Sequence, residues 1–525
     1  MTEVPDRFFR HYARRRARYL DALDPVQCQQ HLLLHLIGQA RACRFAEDHD
    51  FARIQSVRDF QSRVPLRDYE SFWHSYWEPE FPRIQNQTWS GRIPFFALSS
   101  GTSSGRSKYL PLSWTMLRAQ RRAALDTLVW HQRACPWARP MRGRFFFLGG
   151  STDLRSLAPG IRAGDLSGIA AATLPRWARP FVYPPRRLAL LGDWEAKLRI
   201  LAADSPGHDI RRLAGTPSWL LLLLRAVAAQ VGNPPFPRLE LLLHGGVPFA
   251  PYRPLFAPFL TGTRAELREV YAASEAFIAS ADGEPEAGLR LHLQHGAFFE
   301  FVPVAELGRE RPRRHWLRDC VSGEDYALVL TTAAGLWSYL IGDVVRVLTR
   351  RPPRIHIVGR LQDYLSVFGE HLHPEELAAA VARAAATGGM PVAEWMVGPS
   401  FAEDRPGLGH HVFLLESAAP LPPSAELRPR LELMTKTLDE ELRRRNADYD
   451  EHRALQLTPP ELHVLAPGSF AHWLKTEGRL GGQNKVPRVV PDPQRFAQIW
   501  ERLSKGESLC AAAPTGPTAG TEPSR

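Results

Sequence analysis

The run Ser99-Ser100-Gly101-Thr102-Ser103-Ser104-Gly105-Arg106-Ser107-Lys108 constrains the fold more than any other stretch, because of what flanks it. A strand-like segment, residues 94–98, leads in, and Tyr109-Leu110-Pro111 follows. Proline cannot continue a helix, so the run joins two extended pieces. A Walker P-loop needs Ser or Thr after its lysine and a helix beyond; Lys108 is followed by Tyr109, and that reading fails. Gly101 to Gly105 satisfies G-x-S-x-G, the nucleophile elbow that would make Ser103 a hydrolase serine, but the elbow also opens a helix. Two readings remain. One is a surface turn; the other is a nest of backbone N–H groups and hydroxyls for an anion, with Lys108 adding a compact charge.

The chain around this loop has 525 residues, 44% apolar and 23% charged, which exceeds what one hydrophobic core usually serves. Two domains or more are expected. Strand-like runs at 94–98, 144–148, 239–243 and 267–271 alternate with helix-like stretches and predict an α/β domain. A helical entry covers about residues 24–48. Residues 290–304 and 326–348 are rich in Phe, Val, Leu, Tyr and Trp with partial alternation, and predict antiparallel strands closing a barrel-like layer. After a strand near 354–358, Pro374-Glu375-Glu376 predicts a helix start. Strands near 392–398, 410–416 and 461–465 and a helix near 425–446 then make a small α+β domain. The division is expected at residues 1–360 and 361–505, with 506–525 a disordered tail poor in groups to bury.

The formal charge of +11 raises nucleic acid and membrane surfaces as partners. Its distribution argues against both: only Lys108, Lys197, Lys436, Lys475, Lys485 and Lys505 are lysines, and the arginines are spread throughout. The runs Arg14-Arg15-Arg16 and Arg443-Arg444-Arg445 read as solvated helix faces without interleaved aromatic rings. Five scattered cysteines without a C-x-x-C pair fit a reducing cytoplasm. No secretion signal or membrane-spanning run is expected.

Further constellations carry chemistry. In Tyr271-Ala272-Ala273-Ser274-Glu275, a strand-end carboxylate beside an aromatic ring can hold magnesium next to a stacked purine. Each residue alone reads as ordinary sheet or loop. Tyr339-Leu340-Ile341-Gly342-Asp343 places one carboxylate at a glycine-marked turn between strands, able to accept two ribose hydroxyls or to serve as a turn aspartate. Gly359-Arg360-Leu361-Gln362-Asp363 with Gly369-Glu370-His371 permits a hinge. The glycine-rich stretch 478–485 can deliver Lys485 on a mobile loop. His371 and His373 stand two apart without further ligands and read as loop histidines.

In order, Ser-Ser-Gly-Thr-Ser-x-Gly-x-x-Lys, Tyr-x-x-Ser-Glu and Tyr-x-x-Gly-Asp resemble the nucleotide motifs of the acyl-acid amido synthetases, the auxin-responsive plant enzymes and their bacterial relatives within the acyl-adenylating superfamily. Phe298-Phe299-Glu300-Phe301-Val302-Pro303 and residues 326–337 resemble this family specifically, and the likeness runs from about 90 to 490. It implies a large N-terminal α/β domain for ATP and the acid, a small C-terminal lid, and magnesium. Carried over, Ser99, Ser100, Gly101, Thr102, Ser103, Gly105 and Lys108 would hold phosphates. Gly245, Gly246, Tyr271 and Ser274 would line the adenine and α-phosphate. Glu275 would hold magnesium, Tyr339, Asp343 and Arg360 would complete the nucleotide site, and Lys485 would stabilise charge as pyrophosphate leaves. The implied reaction is acyl-AMP formation followed by transfer to an amino acid, with a small carboxylic acid as the other substrate. Coenzyme A ligation, serine hydrolysis and a silent nucleotide-binding relative are the rivals. Plant members carry arginines where Ser338 and Leu340 stand and a lysine near His371, so substrate specificity does not transfer.

Overall fold

The structure is a computed structural model. It describes residues 3–99, 108–149, 154–191, 194–246, 249, 252–307, 309–361, 365, 367–370, 372, 374–401, 409–455, 457–476, 486–504 and 510–511. The chain forms two compact units, residues 1–361 and 362–525.

The first unit opens with helices Glu3–Ala22 and Pro25–Gln39. The second begins where Asp24 accepts the Gln27 N–H at 2.9 Å and Pro25 fills the first turn, a combination that satisfies an orphan donor and presets φ. A twelve-stranded sheet forms the body. Five neighbouring strands run parallel: Val182–Tyr183, Arg144–Phe147, Ile210–Gly215, Leu241–His244 and Glu266–Ala272, in that spatial order. From Glu266–Ala272 onward every neighbour is antiparallel, through Phe277–Ala281, Leu289–Leu291, Pro353–Arg360, Tyr339–Arg350, Asp325–Thr332 and Ala297–Pro303 to His315–Trp316. Glu266–Ala272 is therefore the strand at which the sheet changes character. Such points leave a crevice beyond the strands' carboxyl ends.

A four-stranded sheet carries Lys108–Leu112, Phe95–Ser99, Ile161–Gly164 and Arg155–Ala158. Helix Trp114–Ala134 follows at once, capped by Ser113, whose Oγ accepts the Met116 N–H at 3.0 Å. The core is dense in aromatic rings. Phe72 stacks on Trp77 at 5.1 Å, Phe45 lies 6.0 Å from Trp337, and the Trp337 indole donates to the Thr88 carbonyl at 2.7 Å. The indole thus has its partner although it is wholly buried.

The expected solvated face at Arg14-Arg15-Arg16 needs correction at one position. Arg14 and Arg15 are exposed, whereas Arg16 turns inward and holds Asp126 through two hydrogen bonds of 2.9 and 2.8 Å. Arg443 to Arg445 lie on the surface and pair with Asp450 and Glu441.

The second unit packs helices Pro374–Gly388 and Ser424–Arg445 against strands Val392–Phe401, Gly409–Ser417 and Glu461–Leu465. A short strand, Cys510–Ala511, pairs with His463 and Val464. The segment expected to be a disordered tail thus adds backbone pairing at a sheet edge, while residues 505–509 and 512–525 lie outside the described residues. Among the described residues no helix is long and apolar enough to cross a membrane.

Candidate active site

The strands on either side of the serine- and glycine-rich run pair as the two arms of a hairpin. Phe95–Ser99 and Lys108–Leu112 are antiparallel, with Ser99 opposite Lys108. No helix follows the run, so neither the Walker loop nor the nucleophile elbow is built. Residues 100–107, with Ser100, Gly101, Thr102, Ser103 and Gly105, lie outside the described residues. The base of the hairpin is held by a residue that the sequence did not single out. Asp68 caps the short helix Tyr69–Phe72, accepting the Ser71 N–H at 2.9 Å. The Tyr69 hydroxyl then accepts the Tyr109 N–H at 2.9 Å, and Lys108 Nζ lies 5.5 Å from the Tyr69 ring centre. Burial raises the Tyr69 phenol well above its ordinary range, so it stays neutral. In the sequence Tyr69 is one of several aromatic residues between 69 and 77, and nothing local separates it from those that only pack.

At the carboxyl ends of the parallel strands, Gly245 and Gly246 follow Leu241–His244. A Cβ on Gly245 would fall well inside the 3.0 Å limit of real Cβ contacts, against the Val270 carbonyl oxygen of the neighbouring strand. Gly246 has φ +88°, a left-handed conformation that glycine adopts without cost. Gly245 thus lies directly beside Val270, the residue before Tyr271. After Ala272 the chain turns tightly, with the Ala273 N–H donating to the Ala276 carbonyl at 2.9 Å, and half-buried Ser274 and Glu275 occupy the turn. His244 is buried and stacked on Phe249 at 3.8 Å; burial, with Arg253 adding, pushes its imidazole down to about 3.

Asp343 lies inside strand Tyr339–Arg350, not in a turn between strands as expected. Ala327 pairs with Val344 and Val329 with Leu340, so Leu328 alone faces Ile341, Gly342 and Asp343. This is a bulge, and Gly342 at φ +93° makes it possible. A bulge re-aims a side chain without ending the strand, which is why a glycine-aspartate pair read as a turn. Asp343 is buried, and its Oδ2 accepts the Tyr271 hydroxyl at 2.5 Å across 72 positions of sequence. On its other side Asp343 pairs in the ladder with Arg360.

Tyr339 shows what converges here. The ring is wholly buried, and its ionisation is raised first by that burial and then by Glu275, Tyr69, Asp68 and Asp343. The bulge strand, the Ser274-Glu275 turn and the residue under the hairpin base therefore face one region. Lys485, His371 and His373 lie outside the described residues, and Arg360 is placed by its backbone alone. Glu275 offers hard carboxylate oxygens on a half-buried turn, a donor type that suits magnesium.

Another cluster could be taken for a metal centre. Ligand atoms of Asp126, His292 and His295 lie within 4.8 Å of one another, all three residues buried. However, Asp126 already receives Arg16 twice and His295 Nε2 at 2.7 Å, while Ser280 Oγ lies 3.0 Å from His292 Nε2. A cation there would sit beside the Arg16 guanidinium. A buried hydrogen-bond network is the better description.

A sheet with this switch point, next to such a hairpin, is a fold shared with two solved enzymes. The fold matches AtGH3.15 acyl acid amido synthetase in complex with 2,4-DB at a TM-score of 0.58, with 18% identity, over 95% of this chain and 97% of that one. It also matches 2-hydroxyisobutyryl-CoA ligase in the thioesterification state at a TM-score of 0.53, with 17% identity, over 91% and 92%. The chain belongs to the GH3 family: residues 19–198 match the GH3 family N-terminal domain, 290–360 the central domain and 375–494 the C-terminal domain, together well over half of the chain. Indole-3-acetic acid-amido synthetase GH3.3 of Arabidopsis thaliana is 31% identical over 39% of this chain and 35% of its own length. Indole-3-acetic acid-amido synthetase GH3.8 of Oryza sativa subsp. indica is 28% identical over 64% and 53%. The chain thus spans about a third to a half of the length of these curated relatives.

Proposed function

We propose that the protein uses ATP to activate a small carboxylic acid as its acyl-AMP and then transfers the acyl group to the amine of an amino acid. The observation that carries this reading is the hydrogen bond between Tyr271 and Asp343, which joins two motifs distant in sequence beside Gly245-Gly246 at the crevice of the sheet. Family membership and the names of the relatives support it.

In this reading Gly245 and Gly246 let the backbone approach the adenine, which rests against the Tyr271 ring. Asp343, oriented by the Tyr271 hydroxyl, accepts from the ribose. The run 99–108 cradles the triphosphate, and Lys108 contributes a point charge. Glu275 would hold magnesium, which when bound neutralises phosphate charge. The substrate carboxylate oxygen attacks the α-phosphorus; the bond to the β-phosphate oxygen breaks and pyrophosphate leaves with the electron pair. Lys485 would stabilise that charge. The amine then attacks the acyl carbon, AMP departs, and the nitrogen loses a proton. Positioning and preorganised charge supply the rate. The 361–505 segment acts as the lid between the two steps, and the reducing cytoplasm is the compartment, in keeping with the free thiols of Cys28, Cys43, Cys135 and Cys320.

Acid-dependent exchange of labelled pyrophosphate into ATP tests the first step. Exchange is expected with an acid from a broad panel and is abolished in Lys108→Ala and in Asp343→Ala. Full retention in both variants removes the site assignment, and release of ADP removes the mechanism. The shared fold with a coenzyme A ligase favours a second reading of the acyl group's fate. Mass analysis of the product after adding coenzyme A or single amino acids separates the two.

A further inference from the structure

Earlier along the same parallel strands lies a second polar cluster. Arg212 and Arg268 each stand third in their strands, Ile210–Gly215 and Glu266–Ala272. Arg212 pairs with Leu241, and Leu243 pairs with Arg268. Paired residues of parallel strands share a face, so both side chains point to one side of the sheet. That side is covered by helix Trp114–Ala134, whose Leu128 packs on Ala214, Leu241 and Leu243. One turn further along the helix, His131 enters the same interface.

All three side chains are nearly sealed from water: Arg212 and Arg268 are 3% exposed and His131 is 1% exposed. Arg212 spends Nη2 on the carbonyls of Arg142 and Gly143, both at 3.2 Å. Its Nε and Nη1 have no hydrogen-bond partner, nor do Nε and Nη1 of Arg268 or Nδ1 of His131. The acids nearby are committed or distant: Asp209 accepts from Arg211 Nε at 3.1 Å through Oδ2, and its Oδ1 lies 3.7 Å from Arg238 Nη1. Glu240 binds Arg211 at 2.6 Å and the Arg139 N–H at 2.8 Å, and Asp6 accepts the Met141 N–H at 2.9 Å. Glu266 reaches only to 3.9 Å from Arg268 Nη2. The Cys135 thiol beside Arg268 is pushed up to about 11, chiefly by burial, and so supplies no negative charge. His131 is held neutral, pushed down to about 3 by burial and then by Arg268 and Arg212.

Five buried nitrogens without partners, four of them guanidinium donors, describe a site that asks for negative charge. Buried charges in native proteins are paired, and an unsatisfied buried donor calls for a specific partner. Guanidinium forks are matched by oxyanions and by halides. We propose that Arg212, Arg268 and His131 form a binding site for one small inorganic anion, clamped between the sheet and helix Trp114–Ala134. The anion would accept from Nε and Nη1 of both arginines and from the His131 imidazole. Arg212 and Arg268 precede the Gly245 turn and Tyr271 along the strands, and none of the three residues belongs to the proposed nucleotide site, so this is a stabilising site independent of that reading.

Crystals of the full chain soaked in bromide, and others in selenate, test this directly, because both anions scatter anomalously. An anomalous peak within hydrogen-bond distance of Arg212 and Arg268 is expected, in the bromide soak for a halide site and in the selenate soak for a tetrahedral oxyanion site. In solution, chloride or phosphate exchanged against gluconate at constant ionic strength should raise the unfolding midpoint with the logarithm of its concentration, by about 4 °C at a hundredfold excess over Kd. That response should vanish in Arg268→Met and Arg212→Met. If the variants fail to fold, the soaks on the unaltered protein still decide. Water alone between the arginines in both soaks overturns the proposal, as does a midpoint that responds equally in the folded methionine variants.

Discussion

Replacing Gly245 by alanine tests whether the approach of the Leu241–His244 turn to Val270 holds the candidate site together. The added Cβ would press on the Val270 carbonyl oxygen, with Val270 Cγ2 a further 3.2 Å contact. Backbone atoms cannot swing aside as a side-chain end can. Overpacking of this kind costs about 1–3 kcal/mol, and a displaced strand end that loses a ladder hydrogen bond costs about 1–3 kcal/mol more. A loss of about 4 kcal/mol is therefore expected. Gly246→Ala is the internal control: nothing lies nearer to its Cβ than Thr216 Oγ1 at 3.9 Å, so only the left-handed φ is penalised, by about 1–2 kcal/mol. Asparagine at 246 should recover most of that. Urea unfolding followed by tryptophan fluorescence ranks the three variants. Because Val270 adjoins Tyr271, a shift there also moves the phenol relative to Asp343, and pyrophosphate exchange in Gly245→Ala should fall by about a hundredfold. A Gly245→Ala protein as stable and as active as Gly246→Ala would refute the argument.

Three other outcomes follow from the geometry. His244 stays neutral in the fold down to about pH 3, whereas in the unfolded chain it takes up a proton near 6.5. Its contribution is complete above that pH and is lost as pH falls from about 6.5 towards 3, by about 1.4 kcal/mol per unit. Acid unfolding of His244→Phe, which keeps the stack on Phe249, should move to lower pH, and an unchanged midpoint counts against the assignment. Arg16→Met strands the buried Asp126 carboxylate and should cost about 3 kcal/mol in chemical denaturation, much of it regained when Asp126→Asn is added; strict additivity of the two changes would refute the coupling. Tyr69→Phe removes the acceptor for the Tyr109 N–H while keeping the ring beneath Lys108. A net hydrogen bond of about 1 kcal/mol corresponds to roughly a fivefold rise in KM for ATP, and an unchanged KM means that the hydroxyl does not position the hairpin.

Much of the architecture was legible along the chain because it depends on local periodicity. Alternation over 326–348 marks the antiparallel strands Asp325–Thr332 and Tyr339–Arg350, and Pro374 starts the helix Pro374–Gly388. The order of short motifs pointed to the family that the domain matches establish. Local rules failed where two chemistries share one spelling. Gly342-Asp343 reads as a turn, yet its neighbours keep pairing on both sides and the glycine accommodates a bulge. Arg14, Arg15 and Arg16 read alike, but only Arg16 faces Asp126, because helical rotation carries successive side chains about 100° apart.

The sequence by itself determined element types, the α/β class, the exclusion of a P-loop by Tyr109 and Pro111, and the family. These depend on backbone propensity and residue order over a few positions. Tertiary structure alone decided which residues meet: Tyr271 with Asp343, Tyr69 with the base of the serine- and glycine-rich hairpin, Arg16 with Asp126. Contacts between residues tens to hundreds of positions apart are selected by the packing of sheet against helix and by the low dielectric of that interface, neither of which is written in any local stretch of the chain.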